Sequence, residues 1–259
     1  MTAPAPFIVW TLRRTGGTNL AQALFDRAPF PALPHEPFNI DRLHGPITRR
    51  WLAERDPEAF ARALGPILER GSLIKHCVET VEGFPNTLLA DASQRAGYRH
   101  LFLYRRDPLE RLLSLVHAER SGIWGSRDAS TKPEDPEVFR RPLDIAWLVS
   151  HEREARAALA AVHGRLRELG AELASVSFEE IFLTQVREDA ARKIRGILML
   201  LGLARTDLED RAWIDGVLGQ GDQGTRSRYH RFADRGVLAS ALAGLGPLHL
   251  NGMPAEAGL

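Results

Sequence analysis

A short apolar run, Phe7–Leu12, empties straight into Arg13, Arg14, Thr15, Gly16, Gly17, Thr18, Asn19 and Leu20. The run suits a buried strand, the paired glycines permit a sharp turn, and the residues after them resume a helical apolar spacing. Strand, glycine turn and helix in immediate succession point to an α/β domain. The start of such a helix carries unsatisfied backbone N–H groups and the positive end of the helix dipole, which together seat a phosphate-like anion. Arg13 and Arg14 add cationic side chains at the same point. The lysine form of this loop, Gly-x4-Gly-Lys-Ser/Thr, is not met, because Thr18 and Asn19 stand where it would need its own residues. An ordinary strand-to-helix connection would look much the same, so the loop alone does not establish a site.

A second junction of the same kind follows Leu101–Tyr104. Asp107 suits an N-cap and Pro108 the first helical position. Arg106 leaves the strand end and Ser114 lies about two turns into the helix, so the two side chains can converge on one anion if the chain turns sharply at Asp107. Arginine supplies a forked donor and serine a hydroxyl, both matched to phosphate oxygens. The plainer explanation is that Arg106 pairs with an acidic neighbour and Ser114 fills a helix face.

Taken together, these residues resemble a family. The loop Arg13–Leu20 is similar to the 5′-phosphosulfate loop of sulfotransferases that use 3′-phosphoadenosine 5′-phosphosulfate (PAPS), whose usual form is Pro-Lys/Arg-Ser/Thr-Gly-Ser/Thr-Thr-x-Leu. Arg106 with Ser114 resembles the family's 3′-phosphate motif, in the expected order along the chain. Arg13 departs from the family's proline and Gly17 from its Ser/Thr, which shifts weight onto backbone N–H groups there. The resemblance implies donor contacts from Arg13, Arg14, Thr15, Gly16, Gly17, Thr18 and Asn19, with Arg14 stabilising the leaving group. Val176–Ile181 resembles a late family strand and makes Phe178 a candidate neighbour of the adenine; a core phenylalanine is the alternative. Arg226 and Arg228, with Arg231 and Tyr229, stand where the family closes a basic loop over the nucleotide, although a solvated basic loop would read similarly.

The implied reaction is transfer of a sulfuryl group from PAPS to a hydroxyl of a carbohydrate, glycolipid or small metabolite, leaving the bisphosphate PAP. Such in-line transfer rests on positioning and charge stabilisation, and no metal is expected. The acceptor hydroxyl needs a base. Glu36, in the run Pro34–Asn39, resembles the base of bacterial carbohydrate-type members and is the favoured candidate. His76 is the second: the family's cytosolic small-molecule members carry Lys-x-His, whereas here His76 directly follows Lys75. His35 is a third, and Lys75 could stabilise the group in flight. A kinase-like nucleotide-dependent phosphotransferase is a competing expectation, weakened by the missing loop lysine. A nucleotide- or partner-binding domain without chemistry is another.

Along the 259 residues, strands are expected at 7–12, 72–78, 99–105 and 173–178. Helices are expected at 18–28, 57–70 with a break at Gly65-Pro66, 86–96, 108–121, 143–169, 187–202 and 207–218. Segment 29–50, with five prolines, reads as an irregular loop, and 122–142 as a mobile one; both are assigned to the acceptor side. The alternation predicts one domain over 1–259: a mostly parallel central sheet flanked by helices, a P-loop-like three-layer sandwich with ligands at the carboxyl ends of its strands. A net charge of +1 argues against nucleic acid as partner. The lone Cys77, read as a packed residue, excludes an internal disulfide and fits a cytoplasmic setting. Neither a signal peptide nor a membrane span is expected, and a homodimer stays open.

Overall fold

β1 (Phe7–Thr11) is buried along its whole length, as the apolar run Phe7–Trp10 requires of a central parallel strand. In the computed structural model, which describes residues 3–124, 128, 131, 135–219 and 226–250, it lies between β2 (Ile74–Cys77) and β3 (Arg99–Tyr104). β4 (Leu173–Ser177) completes the order β2-β1-β3-β4, every pair parallel. The helices are α1 (Gly17–Arg27), α2 (Gly45–Glu54), α3 (Pro57–Glu69), α4 (Asn86–Arg95), α5 (Pro108–Ser121), α6 (Ile145–Glu168), α7 (Arg187–Leu201), α8 (Asp207–Gly219) and α9 (Arg235–Leu242). The expected class is thus the observed one: a parallel sheet with helices on both faces.

Period-two alternation along the strands sorts side chains between the two helical layers. Phe7 and Val9 pack with Leu20 and Leu24 of α1 and with Ile194, Ile197 and Leu198 of α7. Ile8 and Trp10 face the other way, toward Leu64 of α3, Leu89 of α4 and Leu159 of α6. A third cluster joins Leu112 and Val116 of α5 to Phe139, Tyr229, Phe232 and Leu238 of α9. The chain leaves β1 for β2 on one side and reaches β3 on the other. The crevice at the carboxyl ends of β1 and β3 is therefore a topological switch point.

Three expectations need correction. Segment 29–50 is not wholly irregular, because α2 begins at Gly45 with Pro46 in its first turn, where proline's fixed φ starts a helix. Gly65-Pro66 does not break α3: Pro66 is exposed, so the carbonyl it leaves unbonded can face water. Segment 122–142 is anchored in its described part, with Ile123, Val138 and Phe139 buried and a helical turn at Glu137–Arg140.

A buried charge network braces these elements. The Arg111 side chain of α5 is fully buried; it donates from Nη1 to both oxygens of Glu79, at 3.0 and 3.2 Å, and from Nε to Glu152 of α6 at 3.0 Å, with a further Nη2 contact to Glu152. Burial alone would lower the Arg111 pKa, but the two carboxylates reverse the direction and raise it. Arg156 takes the other Glu152 oxygen at 2.6 Å and reaches the carbonyl of Gly246 at 2.7 Å. Removing one partner strands the others in low dielectric. Arg111→Ala is expected to cost about 3–5 kcal/mol in urea unfolding, with most of that loss recovered when Glu79 and Glu152 are neutralised in the same chain.

Candidate active site

The glycine loop has its shape because several contacts over-determine it. Arg14 and Gly16 both lie at positive φ, 64° and 72°. Gly16 is required there twice over: a Cβ would meet the Phe178 ring at 2.7 Å. Thr15 is buried and donates to the Leu12 carbonyl at 2.8 Å, with Thr11 Oγ1 against its own hydroxyl. The main chain of Arg13 is clamped from both sides, its N–H donating to Glu79 at 2.8 Å and its carbonyl accepting from Arg111 at 3.2 Å. Gly17, Thr18 and Asn19 form the first turn of α1, which has no side-chain cap and no acidic residue in that turn. Its N–H groups and dipole thus remain available to an anion.

The loop and the second junction meet. Arg14 extends across the crevice, its Nε donating to Ser114 Oγ of α5 at 2.9 Å and its Nη1 to the Trp124 carbonyl at 2.7 Å. Arg106, two turns earlier, turns instead to Glu180, 2.9 Å away, while its Nε is buried with no hydrogen-bond partner among the described residues. Glu179 accepts from the backbone N–H groups of Arg106 and Asp107, at 3.1 to 3.3 Å, and so fixes the turn that sequence reasoning required at Asp107. The Arg13 side chain faces away, toward Glu79 and Glu119.

On the other side of the loop, Lys75 projects from β2 beneath Gly17, its Cε 3.5 Å from where a Cβ on that glycine would stand. Lys75 Nζ pairs with Glu36 Oε1 at 3.1 Å and with His35 Nδ1 at 3.2 Å. Cys77 Sγ donates to the same Glu36 oxygen at 2.9 Å, and Asn39 Nδ2 to the other at 3.0 Å. Glu36 itself has φ 51°, a strained backbone for a carboxylate residue. Burial pushes its pKa up, but the Lys75 charge, the Cys77 hydrogen bond and the His35 neighbour outweigh it and hold the carboxyl at about 2. Burial, then the Lys75 charge, lowers the His35 pKa, so its ring is neutral at pH 7.

Two expected residues lie elsewhere than their expected roles need. His76 is one residue along β2 from Lys75 and therefore points through the opposite face of the sheet. Its ring sits among Trp10, Phe38 and Phe84, with Nε2 2.7 Å from Asn86 Oδ1, and burial depresses its pKa to about 4. A ring so enclosed cannot reach an acceptor beside Gly17. Phe178 is 4% exposed, covered by Gly16, by Phe182 and by the Arg105 guanidinium 4.1 Å above its ring, so it supports the loop from beneath. Arg228 is half-buried in the turn Arg226–Arg231, and the side chain of Arg226 lies outside the described residues. Lys75, Glu79, Arg111 and Tyr229 matter to this geometry more than sequence inspection indicated. Lys75 and Tyr229 were named beside the two motifs, whereas Glu79 and Arg111 carried no signal in the sequence.

No family model matches this chain, and no curated protein matches it. Among solved structures, a chain from the PezAT chromosomal toxin-antitoxin system of Streptococcus pneumoniae is similar at a TM-score of 0.36 and 12% identity, over 85% of this chain and 88% of that one. A likeness of that degree carries no conclusion about chemistry. Among the described residues there is no group of three or more His, Cys, Asp or Glu side chains suited to a metal ion, and no helix long and apolar enough to cross a membrane.

The Glu36–Lys75 pair has a measurable pH consequence. A depressed carboxyl pKa adds stability that is complete above the ordinary value of 4.5 and is lost as pH falls toward about 2. In Lys75→Met, losing the cation should raise the Glu36 pKa and shrink that contribution. A ¹³C NMR titration of the Glu36 carboxyl in both proteins reads the shift directly.

Proposed function

We propose that this protein is a sulfotransferase that moves a sulfuryl group from PAPS to a hydroxyl acceptor by in-line displacement. The observation that carries the reading is the hydrogen bond from Arg14 to Ser114, because it joins the two donor-binding motifs, a hundred positions apart in the chain, at one point. The uncapped first turn of α1 would receive the 5′-phosphate, with Arg14 neutralising charge on the departing oxygen. Arg106 and Ser114 would take the 3′-phosphate, Arg106 exchanging Glu180 for the ligand and engaging its unpartnered Nε. The acceptor side would be the cluster of Glu36, Lys75 and His35.

The Lys75–Glu36 pair also suggests how the base is switched on. A carboxyl held at about 2 is a weak base. A sulfuryl group arriving beside Gly17 competes for the Lys75 ammonium, which lies next to that glycine. As the ammonium turns to the sulfuryl oxygens, Glu36 is left buried with a weaker partner. Its proton affinity rises as the acceptor hydroxyl must lose its proton.

A nucleotide-dependent phosphotransferase is the second reading, favoured by the same ammonium. Lys75 brings to the glycine loop from β2 the cation that the loop's own sequence lacks, and an ammonium there would serve a phosphoryl group as well as a sulfuryl one.

Differential scanning fluorimetry separates the two. PAP is expected to raise the Tm in a saturable way, and ATP with magnesium to leave it unchanged; the reverse would replace the first reading with the second. Arg106→Ala should weaken PAP by about 1.5–3 kcal/mol, the range for hydrogen bonds to a charged group, and shrink the preference for PAP over adenosine 5′-phosphate. Glu36→Gln should keep PAP binding and lose transfer of ³⁵S from labelled PAPS across a panel of sugars and alcohols. Undiminished transfer would remove Glu36 as the base.

A further inference from the structure

Ser114 is 4% exposed, and both of its hydrogen bonds point into its oxygen: Arg14 Nε donates at 2.9 Å and Tyr229 OH donates at 2.8 Å. A hydroxyl has two acceptor lone pairs and one hydrogen. Here both lone pairs are taken, and no described group accepts the hydrogen. A helical serine would commonly turn that hydrogen back to the carbonyl four residues earlier; the two donors leave no freedom for that rotor. The hydroxyl hydrogen is therefore the part of Ser114 left to bond a ligand.

We propose that Tyr229 is a positioning residue that makes Ser114 an obligate donor, and thereby strengthens the site's hold on a 3′-phosphate. This rests on the PAPS reading of the same site. An obligate donor is matched best by an ionised phosphate oxygen, which only accepts and whose charge strengthens the bond. A ribose hydroxyl in the same place carries no charge and makes a weaker bond. Tyr229 can do this because its ring is itself fixed. It is 3% exposed, packed with Phe139, Phe232 and Leu238, and lies 6.1 Å from the His117 ring, centroid to centroid. The residue sits within the basic turn Arg226–Arg231, so the hydroxyl also ties the position of that turn to the donor site.

Tyr229→Phe keeps the ring and removes only the hydroxyl, so the aromatic cluster should stay intact. Isothermal titration calorimetry should show PAP bound about 5–10-fold more weakly by the variant, with the affinity for adenosine 5′-phosphate unchanged. In a Ser114→Ala background the same tyrosine substitution should add nothing, since the two residues act as one unit. A merely structural tyrosine would weaken both nucleotides alike or lower the Tm without changing the discrimination between them, and either result overturns the proposal. Equal PAP affinity in Tyr229→Phe and the unsubstituted protein overturns it while leaving the PAPS reading in place. If the unsubstituted protein fails to bind PAP, the PAPS reading falls and this proposal with it.

Discussion

The buried guanidinium of Arg111 is the constraint on which the loop geometry depends. It binds Glu79 beyond the end of β2, Glu152 on α6 and the Arg13 carbonyl at the start of the loop. Glu79 in turn accepts from the Arg13 N–H. Both backbone polar groups of the loop's first residue are thus held by one ion-pair network whose carboxylates are 3% and 1% exposed. Such a network is a poor source of net stability, since desolvation offsets most of the attraction. Its value is directional, because each oxygen and each N–H has one geometry that satisfies it. A loop with Arg14 and Gly16 both at positive φ needs that outside restraint to persist.

Sheet register accounts for the composition of the site. Lys75 and Cys77 share one face of β2 and both reach Glu36; Ile74 and His76 share the other and enter the aromatic core. A single step along a strand thus separates a cation beside the glycine loop from a neutral imidazole in a hydrophobic cage. The same alternation in β1 sends Phe7 and Val9 toward α1 and Trp10 toward His76 and His100. Charge placement within the site follows. Arg14, Lys75 and the first turn of α1 surround the crevice with positive potential. Glu36 is a carboxylate carried among them, and Lys75 holds it ionised.

Where the sequence misled, a local pattern was overridden by packing. Five prolines in 29–50 suggested irregular chain, but proline at a first helical turn is a start signal, and α2 uses it so. The stretch 122–142 looked free because it is polar and proline-rich. In space Ile123, Val138 and Phe139 are buried, the latter two in a cluster shared with α5 and α9. Phe178 lay at the expected strand end, yet its role as a floor under Gly16 depends on which rotamer the neighbouring Arg105 and Phe182 allow. No local pattern encodes such an arrangement.

The sequence by itself determined the strand-turn-helix punctuation, the parallel α/β class and the two arginine-bearing strand-to-helix junctions. Each of these is set by short-range rules: apolar period, glycine at positive φ, and Asp-Pro at a helix start. Only the tertiary structure decided that Arg14 meets Ser114, that Lys75 lies under Gly17 against Glu36, and that Arg111 closes on Glu79 and Glu152. Those contacts join residues far apart in the chain. They exist because strand order and register bring distant carboxyl ends to one edge of the sheet, and nothing in the local residue pattern specifies which long side chains will face one another there.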